Sequence, residues 1–454
     1  MVVARGAPDV VVVGGGVIGL CCAWRLAARG RSVTLCDPAP TAGASWVAAG
    51  MLAPVTEVQH GEEELLRLTL AAARRWPSFA DELESASGGP VGWRPTGTLL
   101  VAVDADDRRW AQALHRFQRS LGLAVEWLTP RQARQLEPAL APALSGAIWA
   151  PEDHQVDNRQ LLAALRRAVE QARVEVRADA VVSLQATGGA VSGVTTADGT
   201  AIGASHVVLC AGWQSGAIEG LPAGLAPPVR PVKGQILRLV PADGSSVVLE
   251  RTVRAFVASS HVYLVPRATG EVVVGATMEE MGPDTTPTAG GVHELLRDAL
   301  AVVPALRELV VAEVAAGLRP GSPDNAPLIG PAPGGFGVDG LVIATGHYRN
   351  GLLLAPLTAD AVVAAVEGEP PVPEVLPFAA ERFAAERFAA ERSRGDSGSA
   401  GAVRTPGGPG AAGSEGGPGA AGSGPGGPTL AGASSRGARG SAPGASRTEP
   451  RPST

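Results

Sequence analysis

Cysteine is scarce: Cys21, Cys22, Cys36 and Cys210 are the four in 454 residues. They have neither metal-ligand spacing nor the regular framework that staples small secreted domains, so a disulfide scaffold and a common zinc module are excluded. Four reduced, buried and inert thiols are expected, and no metal. Positive charge is not in excess either, with 38 Lys and Arg against 44 Asp and Glu and a net charge of −6. Nucleic acid and anionic membrane therefore have no electrostatic claim as partners. No stretch reaches the ~18 unbroken apolar residues of a membrane-spanning helix. Arg5 followed by the apolar run 10–22 has the outline of a signal peptide, but the consecutive glycines Gly14, Gly15 and Gly16 interrupt it. The expectation is a soluble, cytoplasmic protein acting on small molecules.

What is present is a core. Hydrophobic residues make up 45% of the chain, and the length predicts two or three domains. From 393 to 454 the composition turns to Gly, Ala, Ser and Pro, with no aromatic residue and only Val403 and Leu430 as larger aliphatics. Such a segment cannot bury enough apolar surface to offset its ordering entropy, which predicts a disordered tail. Just before it, at 377–392, Phe-Ala-Ala-Glu-Arg repeats from Phe378 to Arg392. Its composition favours a helix, but phenylalanines five apart rotate off any one helical face.

The first ordered unit reads as strand, turn, helix, strand: 10–13, the glycines, a helix over 17–29 stopped by Gly30, then 33–37. Helices are predicted over 62–84, 106–121, 130–136 and 158–172, and strands over 98–103, 174–177 and 206–210. Alternating β-branched residues across 229–277, including 235–240 and 271–276, predict an antiparallel sheet. A last strand at 341–344 runs into Gly346, with a helix starting near Gly351.

Gly14, Gly16 and Gly19 form G-x-G-x-x-G directly after an apolar strand and directly before a helix, the context that a dinucleotide-binding turn needs. Glycine lets the backbone approach a pyrophosphate, whose charge the free N–H groups and the helix dipole stabilise. Asp37, ending the second strand, is placed to accept hydrogen bonds from a ribose. The alternative is a glycine-rich turn in an ordinary α/β fold. The motif does not separate NAD from FAD. An NAD domain usually completes its sheet locally, whereas here βα signals recur at Val207-Val208-Leu209-Cys210-Ala211-Gly212-Trp213 and Val342-Ile343-Ala344-Thr345-Gly346. A cofactor domain assembled from distant segments suits the longer ligand, non-covalent FAD.

Further motifs follow in order: Gly43-Ala44-Ser45, Ala48-Ala49-Gly50-Met51-Leu52, Val232-Lys233-Gly234-Gln235, Tyr263-Leu264-Val265-Pro266-Arg267, Val274-Gly275-Ala276-Thr277-Met278, Gly317-Leu318-Arg319-Pro320 and Gly346-His347-Tyr348-Arg349-Asn350-Gly351. From about Val10 to Val366 the sequence resembles the FAD-dependent D-amino acid oxidase superfamily, and within it the glycine oxidases of thiamine biosynthesis. The resemblance implies an α/β fold: a Rossmann-type FAD-binding domain from discontinuous segments 9–50, 151–224 and 325–376, and an α+β substrate-binding domain with an antiparallel sheet from 51–150 and 225–324.

For the site, the resemblance implies that Arg319 receives the substrate carboxylate and that Tyr263 adds a hydroxyl bond to it. A bidentate guanidinium suits that task. An arginine in the nearly apolar run Val314-Ala315-Ala316-Gly317-Leu318 needs an anionic partner in any case, and a structural pair with Asp324 is the alternative. Arg349 is implied near substrate and flavin. His261 and Met278 resemble pocket-lining positions, with plain packing as their alternative. Cofactor contacts are implied for Gly14, Gly16, Val17, Ile18, Gly19, Asp37, Pro38, Ser45, Ala49, Gly50, Met51, Val181, Ala211, Gly212, Trp213, Gly346, His347, Arg349, Asn350, Gly351 and Leu352. The helix start near Gly351 would stabilise negative charge at flavin N1 and O2.

The implied activity is oxidative deamination of glycine or another small amine or D-amino acid. Hydride goes to flavin N5, the imine hydrolyses to an oxoacid such as glyoxylate and ammonia, and oxygen is reduced to hydrogen peroxide. Glycine imine would supply thiamine biosynthesis. The implied partners are a small amino-acid substrate, molecular oxygen, further copies of the chain and thiamine-pathway enzymes. One rival is a sarcosine or D-amino-acid dehydrogenase with an acceptor other than oxygen; another is a non-catalytic flavoprotein scaffold. Flavin tethered through a cysteine in the C-terminal half is excluded, since no cysteine follows Cys210.

Overall fold

The computed structural model describes residues 7–39, 43–222, 224–244, 247–257, 260–334 and 336–383. Four valines, Val10–Val13, form a strand exposed by no more than 4% at any residue. A β-branched run buried on both sides is what the middle of a parallel sheet requires. Val10 and Val12 point into one core and Val11 and Val13 into another, as the two-residue period of a strand dictates.

That strand lies inside a sheet of six in the order Leu328–Pro331, Leu341–Thr345, His206–Leu209, Val10–Val13, Val33–Cys36, Glu175–Arg177. All neighbours are parallel except the edge pair Leu328–Pro331 with Leu341–Thr345. On one face pack the helices Val17–Ala28, Glu63–Ser87, Asn158–Gln171 and Gly351–Glu367, whose Leu20, Trp76, Phe79, Leu161 and Leu354 share a core with Val10 and Val12. Gly30 at φ +87° follows the first helix, as its sequence predicts. On the other face lies a three-stranded meander not anticipated from sequence, Val181–Thr187, Ala190–Thr196 and Ala201–Gly203.

A second sheet has eight strands in the order Val310–Gly321, Arg230–Val240, Val272–Gly275, Ser260–Pro266, Thr252–Val257, Thr98–Ala102, Gly146–Ala150, Glu126–Leu128. Strands between 230 and 275 pair antiparallel, as the alternation implies. The sheet then extends through a parallel pairing of Thr252–Val257 with Thr98–Ala102, so it is mixed. Helix Ala289–Val302 covers one face, burying Leu295, Ala299 and Val302 against Leu237, Leu264 and Val274. The other face carries Ile236, Val265, Val273 and Tyr263 and meets Val47 and Ala49.

The first copy of the pentapeptide repeat lies in short 3-10 turns, Pro373–Phe378 and Ala380–Phe383, not in an α-helix. Phe378 is buried, and Arg382 anchors the segment to Asp324. The rest of the repeat and the tail expected to be disordered, 393–454, lie outside the described residues. All four cysteines are buried and free. Among the described residues no helix is long and apolar enough to cross a membrane.

Candidate active site

The glycine turn is shaped by contacts that leave no room for side chains. Gly14 has φ +101°, and a Cβ there would lie 2.5 Å from the Cys210 carbonyl oxygen. Gly15 donates its N–H to Asp37 Oδ2 at 2.7 Å. A Cβ on Gly19 would overlap the Gly14 carbonyl oxygen, so this glycine brings the helix close to the turn. Gly16 caps the helix with no side chain of its own, no acidic residue occupies the first turn, and a side chain meets its first N–H only through Val17 N donating to Ser45 Oγ at 3.0 Å. A helix start left this way is an anion site.

That helix start opens on a cavity of about 700 Å³, inside the roughly 300–1,000 Å³ range of ligand cavities. Its lining draws on every segment expected to hold cofactor: Gly14, Gly16, Val17 and Ile18; Asp37 and Pro38; Ser45 and Ala49 to Met51; Val181; Ala211 to Trp213; and His347 to Leu352. A second helix start, Asn350 before Gly351–Glu367, meets the same cavity, again with no side-chain cap and no acid in its first turn. His347 donates or accepts at Thr358 Oγ1, 3.0 Å away, and burial pushes its pKa down to about 3, so it is neutral.

Two expected contacts, Gly19 and Gly346, do not line the cavity. Gly19 serves the helix packing just described, and Gly346, at φ +73°, turns the chain beside Leu328. His261 shares a strand with Tyr263 but lies off the cavity, exposed and edge-on to Phe256 and Trp110. Met278 is 68% exposed and also off the cavity, where its sulfur accepts from the Tyr348 hydroxyl at 3.1 Å.

At the other end of the cavity, Arg319 and Tyr263 come together on the cavity face of the eight-stranded sheet. The guanidinium lies over Gly234, where a Cβ would overlap it, and Nη1 donates to the carbonyls of Lys233 and Thr277 at 3.4 and 3.2 Å. Among the described residues no carboxylate comes within salt-bridge distance of it, and Asp324 is held instead by Arg382 at 2.9 Å. Its surroundings correct the sequence argument: Val314 is 37% exposed and Ala315 to Gly317 are half-buried, so the run is less desolvating than its composition suggests. Burial raises the pKa of the Tyr263 hydroxyl, and the neighbouring Arg319 partly offsets this.

Several residues at the cavity had no predicted role. Glu57 lines it, 3.1 Å from Arg254 and 3.8 Å from Arg349. Burial works to raise its pKa, but Arg254, Arg349 and Arg319 together hold it below the usual carboxylate value. Asn158, read from sequence only as a helix start, donates to the carbonyls of Ser45 and Trp46 at 2.9 and 2.8 Å. Arg267, quoted within a motif but given no task, donates to the Ala49 carbonyl at 2.7 Å. Its signal was an arginine ending an apolar strand.

Residues 9–365 match the family described as FAD dependent oxidoreductase. The chain belongs to that family. Its cofactor is FAD, and the cradle fits: a glycine turn without Cβ atoms, two helix starts with no acid in the first turn and no capping side chain on the N-cap residue, and Asp37 line one cavity. A glycine oxidase of Pseudomonas putida is 34% identical over 82% of this chain and 98% of that relative. The bifunctional protein ThiO/ThiG of Trichormus variabilis is 36% identical over 77% of this chain, but the match spans only 51% of that longer protein. The crystal structure of glycine oxidase from Geobacillus kaustophilus superposes with a TM-score of 0.76 at 32% identity, covering 83% of this chain and 98% of that one.

Proposed function

We propose that this family member oxidises a small amino acid, glycine foremost, to the imine that water converts to an oxoacid and ammonia. The observation that carries the reading is Arg319: a guanidinium at the cavity beside the Tyr263 hydroxyl and two backbone carbonyls, with no carboxylate within salt-bridge distance among the described residues. A carboxylate completes such a fork. FAD, when bound, supplies the acceptor for the hydride leaving Cα. The chain's own residues then have three tasks. Arg319 and Tyr263 hold the carboxylate, the sheet face excludes water, and the helix start at Gly351 offers N–H donors to developing negative charge. We further assign residues 9–50, 151–224 and 325–376 to the cofactor domain and 51–150 with 225–324 to the substrate domain. The six-stranded and eight-stranded sheets support that division, except that helix Glu63–Ser87 packs in the core on the six-stranded sheet.

The glycine oxidase relatives support glycine as substrate and oxygen as the terminal acceptor, with hydrogen peroxide as product. The bifunctional relatives support a place in thiamine biosynthesis; a cytoplasmic location and self-association are added to the same reading as expectations. The test starts from purified FAD-loaded protein. Anaerobic glycine, sarcosine or D-alanine should bleach the flavin absorbance, and air should restore it with one peroxide per turnover. Bleaching without reoxidation by air would favour the dehydrogenase reading. No bleaching by any of the three would overturn the proposal in favour of a non-catalytic flavoprotein.

A further inference from the structure

We propose that Glu57 makes the site selective for amino acids bearing a single carboxylate, by occupying Arg349 and placing a negative charge where a second carboxylate would lie. The inference rests on the amino-acid reading above. Three guanidinium groups act on Glu57, namely Arg254, Arg319 and Arg349, and the last two line the cavity. Arg254 stands across the strand pair from Tyr263 and is bound by Glu57 at 3.1 Å and Thr56 Oγ1 at 3.0 Å. Arg349 lines the cavity and turns its Nε to the other Glu57 oxygen at 3.8 Å. Arg319 alone of the three has no carboxylate within salt-bridge distance among the described residues.

Glu57 also lines a small cavity with Glu62, Leu66 and Thr69, and with Arg349 and Asn350 it borders both spaces. Glu62 lines the small cavity but not the large one. The negative charge presented to a ligand there is therefore that of Glu57. One carboxylate finds Arg319. A second, carried on the amine nitrogen or on Cα, meets an arginine already paired with Glu57, a carboxylate it shares with Arg254, and a like charge in the wall. The substrate class this selects is the monocarboxylate amine, primary or N-alkylated.

The test uses FAD-loaded protein and two ethers without an oxidisable C–N bond: methoxyacetate, with one carboxylate, and oxydiacetate, with two. Each is titrated by its perturbation of the flavin spectrum, alongside kcat/KM for sarcosine and iminodiacetate. Glu57→Gln should move the Kd ratio toward oxydiacetate, and the kcat/KM ratio toward iminodiacetate, by at least about tenfold. Adding Arg349→Ala should abolish the shift. Should Glu57→Gln fail to retain FAD, Glu57→Asp, which withdraws the charge by one methylene, should shift both ratios the same way by less. Ratios unchanged within about twofold, or a shift that persists without Arg349, overturn the proposal. If wild type oxidises glycine and binds methoxyacetate through Arg319 while the ratios stay fixed, only the Glu57 assignment falls. If wild type binds neither ether and oxidises no amine, the amino-acid reading falls with it.

Discussion

Asn158 and Arg267 share a buried hydrogen bond, 3.1 Å from Oδ1 to Nη2, directly behind the segment that lines the cofactor cavity. The same Oδ1 accepts from Arg238 at 3.1 Å, while Nδ2 donates to Ser45 and Trp46. An amide has two donors and two acceptor positions, and all four are used. Burial lowers the pKa of Arg267 to about 10, with Asp157 working against the fall, so the guanidinium stays charged at neutral pH.

Asn158→Ala would leave two backbone carbonyls and two guanidinium groups short of a partner in a site with no exposure. The expected loss is about 1–3 kcal/mol of stability, read by denaturant titration. Because the freed carbonyls belong to Ser45 and Trp46, FAD occupancy after size-exclusion chromatography should fall as well. A variant of lower stability that keeps stoichiometric FAD would show that the network holds the fold and not the cavity wall.

The glycines of the turn divide into two roles that mutation can separate. Gly16 has φ −70°, which any residue adopts, and a Cβ there meets only Ser45 Oγ at 3.3 Å. Gly16→Val should therefore fold, with little FAD bound, because the side chain enters the anion cradle. Gly19→Ala drives a methyl into the Gly14 carbonyl and should lower the melting temperature of the FAD-free protein more than Gly16→Val does. The reverse order in thermal denaturation would refute this division.

Much of this was legible because it is local. The valine strand, the glycine turn and the helix stop at Gly30 lie within about twenty residues, where propensity and period decide the structure. The helix Ala289–Val302 was hidden by Gly290 and Gly291 at its start, since glycine disfavours helix. His261 shows a different limit. The two-residue period puts it on the same side of its strand as Tyr263, but how far the cavity reaches along that strand depends on residues distant in sequence. Asn158 and Glu57 were missed for the same reason: their partners are Ser45, Trp46, Arg238, Arg254, Arg267 and Arg349, brought in by tertiary structure.

Asp153 should give the protein an unusual pH response. Its carboxylate is fully buried and accepts from Val55 N, Thr56 N and Thr56 Oγ1, fixing the segment that carries Glu57. Burial nevertheless wins over these bonds and raises its pKa to about 6. A folded-state pKa above the unfolded one means that the folded state binds the proton more tightly. The contribution of Asp153 to stability is complete below pH ~4 and lost as pH rises through ~6, on the order of 3 kcal/mol in all. The stability of wild type minus that of Asp153→Asn should fall across this window and be flat above it. A difference that rises with pH would show that the carboxylate is stabilised, not strained, in the ionised form.

Arg319 is assigned to the substrate and not to the fold, and the geometry makes that separable. It donates to backbone carbonyls at 3.2 and 3.4 Å and lies beside the Tyr263 hydroxyl, and the structural partner that sequence offered, Asp324, is taken by Arg382. Removing Arg319 thus breaks no ion pair of the described protein, and stability and FAD content should change little. The substrate carboxylate, by contrast, would lose a charged, hydrogen-bonded partner, worth on the order of 2–5 kcal/mol. Arg319→Ala should lower kcat/KM for glycine by roughly thirty-fold to several thousand-fold. Arg319→Lys should recover part of that, because an ammonium keeps the charge but not the two parallel bonds. An amine lacking a carboxylate supplies the control: it should be a poor substrate for wild type and no poorer for Arg319→Ala. If Arg319→Ala instead loses FAD and melts early while the remaining holoenzyme keeps a normal KM for glycine, the guanidinium is structural and the carboxylate binds elsewhere.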